Sequence, residues 1–262
     1  MFAIKFLGVF LCFLIGLCFG SFLNCLIYRL QTKKGILGRS FCPKCGHQLS
    51  WYENIPLFSF IFQRSRCRSC HQRISWQYPI VELTTGILFV IAFIRLTPFV
   101  FRVEIVLSLL IQWFIFFVLL FIFIYDLKYQ EIELIILWPA TALVFFYNFF
   151  TKHPLNPLIV SISIGVLFFL IQYLITRGKG IGLGDVWIGA FMGVVFSQPK
   201  LIITALFLSY LVGSLVSIIF LISKKAGLKT KIPLAPFLVI GTFISLFWGE
   251  NFINWYLKKL YF

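Results

Sequence analysis

Long apolar stretches, each closed by a few polar or charged residues, recur along almost the whole chain. Eight of them occupy roughly 4–28, 79–97, 104–125, 133–150, 156–176, 186–197, 200–222 and 232–249. About 20 apolar residues carry an α-helix across a bilayer, and all but the short sixth stretch come near that length. One long polar interval, 29–78, separates the first stretch from the second. The pattern predicts an all-α polytopic membrane protein of about eight transmembrane helices, with a small loop domain between the first two.

Composition excludes a soluble globular domain: 61% of residues are hydrophobic, 12% are charged, and the mean hydropathy is +0.99. The first stretch has Lys5 ahead of it and the small pair Gly20-Ser21, as a secretory signal would. Its apolar region is too long for one and its basic residues lie mainly after it, so it is read as an uncleaved span. Residues 29–78 hold nine Lys/Arg and a single acid, Glu53, which places this loop in the cytoplasm by the positive-inside rule. Alternate threading puts Lys128, Arg177, Lys179, Lys224, Lys225, Lys229 and Lys231 on the same side, sixteen basic residues inside against seven outside, with both termini outside. The formal charge of +15 therefore reflects topology and contact with anionic membrane lipid, and nucleic acid is not an expected partner.

The loop carries four of the seven cysteines, as Cys42-Pro-Lys-Cys45 and Cys67-Arg-Ser-Cys70. Two Cys-x-x-Cys pairs separated by 21 residues have the ligand spacing of a tetrahedral structural zinc site. Cys42, Cys45, Cys67 and Cys70 are the expected ligands of a zinc-ribbon-like domain. Redox pairs and unmetallated thiols are the alternatives. His47 and His71 stand beside the pairs, but four thiolates already complete the shell. With few large apolar side chains to build a core, the loop would draw folding energy from the metal. Cys12, Cys18 and Cys25 lie in the first span and are read as small packing residues.

Only two aspartates occur, and each stands where a span meets its loop. Asp126 follows the run Ile105–Tyr125, and Asp185 ends Gly180-Ile-Gly182-Leu-Gly184. Charge counting places both at the cytoplasmic face. A carboxylate at the edge of hydrocarbon is costly and tends to have a task. Two that meet share a proton, the basis of aspartyl acid–base chemistry. Glycines beside the second acid permit positive φ and close approach of a substrate backbone. Against this stand two acids neutralised separately by Lys128 and Lys179, and a proton relay in a transporter with a zinc-ribbon loop.

A resemblance to a known family narrows these alternatives. The segments Gly16-Leu-Cys-Phe-Gly20-Ser-Phe-Leu-Asn24-Cys-Leu-Ile-Tyr-Arg29, Cys42-Pro-Lys-Cys45-Gly-His-Gln-Leu-Ser-Trp51-Tyr-Glu53-Asn54-Ile-Pro56 and Tyr78-Pro79-Ile-Val-Glu82 resemble the opening of bacterial prepilin peptidases, the type IV leader peptidases. Asp126-Leu-Lys-Tyr-Gln-Glu-Ile, Gly182-Leu-Gly184-Asp185 and Ile232-Pro233-Leu-Ala-Pro236-Phe237 continue the order, so the likeness runs from about 16 to 240. It implies a Gly-x-Gly-Asp membrane aspartyl protease with Asp126 and Asp185 catalytic and Gly182 and Gly184 in the active-site loop. The expected substrates are type IV prepilins or type II secretion pseudopilins, cut after a glycine on the cytoplasmic side of the inner membrane. Many relatives also N-methylate the new N-terminus with S-adenosylmethionine, an activity tied to the cytoplasmic loop, where Glu53, Asn54 and Glu82 match the pattern. The bland reading of those three is turn-building and helix-capping, and a protease-only enzyme with a zinc docking loop is the alternative. The implied organisation is a first helix (1–28), a metal-binding loop domain (29–78) and a peptidase domain (79–262). Three departures stand out. Ser65 replaces a frequent glycine at a position associated with methyl transfer, Glu133-Leu134 replaces a Pro-Asp pair, and Trp187 replaces a lysine.

Overall fold

The computed structural model describes residues 2–35, 38–96, 102–151, 154–223 and 232–260. Of the residues used to orient the chain, Lys152, Lys224, Lys225, Lys229 and Lys231 lie outside these. The described residues are helical, with no strand beyond two isolated β-bridges. In order come α1 (Phe2–Gln31), α2 (Phe58–Phe62), α3 (Gln77–Leu96), α4 (Val103–Tyr129), α5 (Leu134–Phe150), α6 (Leu155–Thr176), α7 (Leu183–Phe196), α8 (Pro199–Ile222) and α9 (Ala235–Leu260). Each of the eight apolar stretches forms one helix. Six, namely α1, α3, α4, α6, α8 and α9, are long and apolar enough to cross a membrane, whereas α5 and α7 are shorter. The protein is a multi-pass membrane protein.

The chain divides into two compact units, Met1–Phe117 and Val118–Phe262, and the division falls inside α4. In the first unit α1 packs on α3 through small residues. A Cβ on Gly16 would lie 2.7 Å from Gly86 Cα, and one on Gly20 would lie 2.6 Å from Glu82 Cα. Without side chains at these points the backbones approach closely, which is how helices gain contact where lipid supplies no hydrophobic drive. Phe89 anchors the same unit: its ring stacks on Trp113, 4.6 Å between centroids, and its carbonyl accepts from the Trp113 indole N–H at 3.0 Å. Cys12 is buried as expected, but Cys18 is exposed on the outer surface of α1.

In the second unit α7 is the hub. Nearly every residue from Ile188 to Phe196 is buried, on all sides of the helix. Such a helix needs no amphipathic pattern, because protein surrounds it. Gly189 and Gly193 face Gly165 and Ser161 of α6, and a Cβ on Gly193 would lie 2.5 Å from Ile162 Cα. Asn148 of α5 donates to the Val194 carbonyl at 2.7 Å. On the other side α8 meets α9, where a Cβ on Gly241 would lie 2.6 Å from the Ala205 carbonyl oxygen, and Ser245 donates to Leu201 O at 2.9 Å.

Candidate active site and metal centre

The two aspartates come from different helices of the second unit. Helix α4 does not stop at Tyr125 but runs on to Tyr129, so Asp126 lies within its last turn, not just beyond its end. Asp185 is likewise inside the first turn of α7. Both are buried, at 6% and 9% relative exposure. Neither is paired with Lys128 or Lys179 among the described residues. Instead each accepts a backbone N–H at a helix start. Asp126 Oδ2 accepts from Ala235, the first residue of α9, at 3.2 Å, and Asp185 Oδ2 accepts from Gly182, just ahead of α7, at 3.0 Å. Helix N-termini present unpaired N–H groups and partial positive charge, so both carboxylates gain local compensation for burial. Two such groups in one low-dielectric place cannot both ionise cheaply and are suited to sharing one proton.

The glycines before Asp185 serve different ends. Gly178 has a positive φ of 73°, but Gly182 sits at φ −85° and ψ 160°, an ordinary extended conformation. Its contribution is the N–H that Asp185 accepts. Gly184 is required by space: a Cβ there would lie 2.7 Å from Ile132 Cδ1 and 2.9 Å from its Cβ. Ala235 went unnoticed as a site residue because a backbone donor has no side-chain signature. The Pro233-Leu-Ala-Pro236 motif around it was its only trace in the sequence. Trp187 packs edge-on against Trp138, with centroids 5.3 Å apart, and Glu133 sits at the N-cap of α5 without a side-chain cap bond.

The four loop cysteines converge in the first unit. All four sulfurs lie within 4.8 Å of one another, with Cys42–Cys70 at 3.9 Å and Cys45–Cys67 at 4.0 Å. Tetrahedral zinc with ~2.3 Å bonds sets sulfurs about 3.8 Å apart, so the cluster fits such an ion. The two halves repeat one turn. Cys42 N–H donates to His47 O and Gly46 N–H to Cys42 O, at 2.8 and 2.9 Å; Cys67 N–H donates to Gln72 O and His71 N–H to Cys67 O, both at 2.9 Å. Bridges Phe41–Gln48 and Arg66–Arg73 close the repeats. Gly46 and His71 occupy matching corners with φ of 74° and 55°. His71 thus serves as a corner residue, and His47 Nε2 faces Glu53 Oε2 at 3.5 Å. Backbone N–H groups of Cys70 and then Ser69 favour the Cys67 thiolate and bring its pKa down to about 7.

Of the three residues matched to methyl transfer, two have structural bonds. Glu53 Oε2 accepts the Ser50 N–H at 2.8 Å, which is the main reason its pKa lies below the usual carboxylate value. Glu82 Oε2 accepts the Leu57 N–H at 2.8 Å, while Asn54 is exposed. Glu53 Oε1 is buried without a partner, beside a groove of ≈ 600 Å³ walled by Tyr52, Ile55, Phe58, Phe62 and Arg68.

The bacterial peptidase A24 N-terminal domain matches residues 14–96, and the type IV leader peptidase family matches residues 113–218. The prepilin leader peptidase/N-methyltransferase of Bacillus subtilis is 31% identical, covering 94% of this chain and 96% of its own. The chain belongs to the type IV leader peptidase family. The protein of the same description from Aeromonas salmonicida is 30% identical over 95% of this chain and 94% of its own, and that from Pseudomonas aeruginosa 30% identical over 94% and 92%. No solved structure matches this leader peptidase. The second matched region holds Asp126 and Asp185, and the first holds the four cysteines, Glu53 and Glu82.

Proposed function

We propose that this leader peptidase removes the basic leader of type IV prepilins or pseudopilins, with Asp126 and Asp185 as the acid–base pair. The observation that carries the reading is two buried carboxylates, each held by one backbone N–H at the start of α9 or α7, two helices in contact, with no lysine paired to either among the described residues. One carboxylate, ionised, takes a proton from the attacking water. Its protonated partner donates to the scissile carbonyl oxygen, and the tetrahedral intermediate collapses as the proton passes to the leaving amine. Gly182 and Gly184 form the loop that holds Asp185, and the bare Cα of Gly184 lets that loop close on Ile132. The site faces the cytoplasmic side of the inner membrane, in keeping with the nine basic residues of 29–78.

The same chain N-methylates the new N-terminal residue, as the names of its relatives imply. S-adenosylmethionine supplies the methyl group. The free Oε1 of Glu53 fits a role in holding that donor, since a buried oxygen without a partner is otherwise costly. Glu82 positions the segment through Leu57, and Asn54 is exposed to bind. Zinc on Cys42, Cys45, Cys67 and Cys70 fixes loop domain 29–78, and the peptidase occupies 79–262.

Mass spectrometry of a co-expressed prepilin tests the reading. Wild type should yield the mature chain carrying an extra ~14 Da of methyl; Asp126→Asn and Asp185→Asn should each lower cleavage by a factor of ~10³ or more while inserting normally. Cleavage persisting in either variant would remove that aspartate from the pair.

A further inference from the structure

The loop holds more large apolar side chains than a domain without a core would, and several of them are exposed. In α2 only Phe60 turns in, against the Trp76 ring with centroids 4.9 Å apart. Phe58, Ile61 and Phe62 are 54%, 69% and 81% exposed, and Trp51 and Trp76 of the same loop are 79% and 67% exposed. An exposed apolar set of this kind marks a surface that meets something.

Depth and charge identify what it meets. The Leu57 N–H that opens α2 donates to Glu82 Oε2 at 2.8 Å. Glu82 is about 7.5 Å along α3 from its first residue Gln77, and α3 is one of the helices able to cross a membrane. Helix α2 is thereby tethered one and a half turns along a helix able to span, which sets it at the boundary of headgroups and acyl chains if α3 enters the bilayer with its first turn. Directly after it come Arg64, Arg66 and Arg68, all exposed, while Lys33 and Lys34 are exposed at the end of α1 on the same side of the spans. Apolar residues at this depth with a basic cluster beside them are the makings of an interfacial anchor.

We propose that α2 is such an anchor, with Phe58, Ile61 and Phe62 in the acyl boundary of an anionic bilayer and the arginines on its phosphates. The loop domain then lies on the membrane instead of standing off it. Phe58 and Phe62 also wall the groove beside Glu53, so lipid forms that groove's outer side.

The test uses the full chain with a photoreactive benzoylphenylalanine at 61, 62 or 73, in nanodiscs of phosphatidylglycerol and phosphatidylethanolamine. Lipid adducts at 61 and 62 should exceed those at 73 several-fold, and should fall when phosphatidylcholine replaces phosphatidylglycerol. Equal lipid yields at the three positions, or adducts to a second copy or to an added prepilin in place of lipid, overturn the proposal. Hydrogen exchange of 57–63 in the unmodified protein is the second measurement. Slower exchange in anionic nanodiscs than in detergent supports the anchor, and equal exchange overturns it.

Discussion

Ser65 holds its backbone at φ 57°, next to Arg64 at 50°. Both its backbone groups are committed, the N–H to Phe60 O at 2.9 Å and the carbonyl to the Ile74 N–H at 2.7 Å, so the conformation is imposed by its surroundings. A left-handed conformation costs a residue with a Cβ about 1 kcal/mol, a penalty that glycine would not bear here. Ser65→Gly should therefore raise the midpoint at which the loop loses protease resistance on heating, by the equivalent of about 1 kcal/mol. A lower midpoint would mean that the hydroxyl has a use of its own. At this scale the side chains that could meet were legible, since two aspartates and four spaced cysteines are rare residues in an apolar chain. Their partners were not. Ala235 and Gly182 act through N–H groups that every residue but proline has, and Glu82 takes up a bond from Leu57 that only folding brings near, whereas the Ser50–Glu53 bond is the local helix cap that three-residue spacing allows.

Helix positions were the most legible feature of the chain, because a lipid environment makes every spanning element a long apolar run. Their ends were less so: α4 continues through Asp126-Leu-Lys-Tyr129, since a polar residue does not itself break a helix. Also hidden was the function of the small residues. Gly16 and Gly20, Gly189 and Gly193, and Ser161 and Gly165 are each spaced by four, a pairing signal that stands out only once α1 meets α3 and α6 meets α7. Gly189→Leu should force α6 and α7 apart, cost about 3 kcal/mol by overpacking, and lower leader cleavage as α7 carries Asp185 out of place. Cleavage and thermal stability both unchanged would show that the two helices do not need this contact. The paired cysteine turns invite the opposite manipulation. A strong zinc chelator, or Cys45→Ser, should open the chain to trypsin at Arg64, Arg66 and Arg68, because the turns share only a small buried core around Cys42, Phe60 and Cys67. An unaltered digestion pattern would show that the loop stands without metal.

At the scale of the whole molecule, the residues proposed for the two activities fall in different units. Residues Met1–Phe117 contain the cysteine cluster and the carboxylates matched to methyl transfer, and Val118–Phe262 contain the aspartates. That division was only partly visible, since the polar interval 29–78 advertises a loop domain whereas the break inside α4 has no change of composition to mark it. The shortness of α7 has a consequence at this scale. Its 14 residues rise only ~21 Å, about 9 Å less than the ~30 Å of hydrocarbon that a spanning helix crosses. A protein-enclosed helix this short leaves the Gly-rich approach to Asp185 within reach of water if the bilayer around the bundle thins there into a dimple. The dimple costs fractions of a kcal/mol for each ångström of mismatch. Proteoliposomes of lengthening acyl chains should therefore slow leader cleavage several-fold with little change in folding, and a rate indifferent to chain length would refute the dimple. The enzyme would then work as a gauge of membrane thickness, fastest where the bilayer is thin.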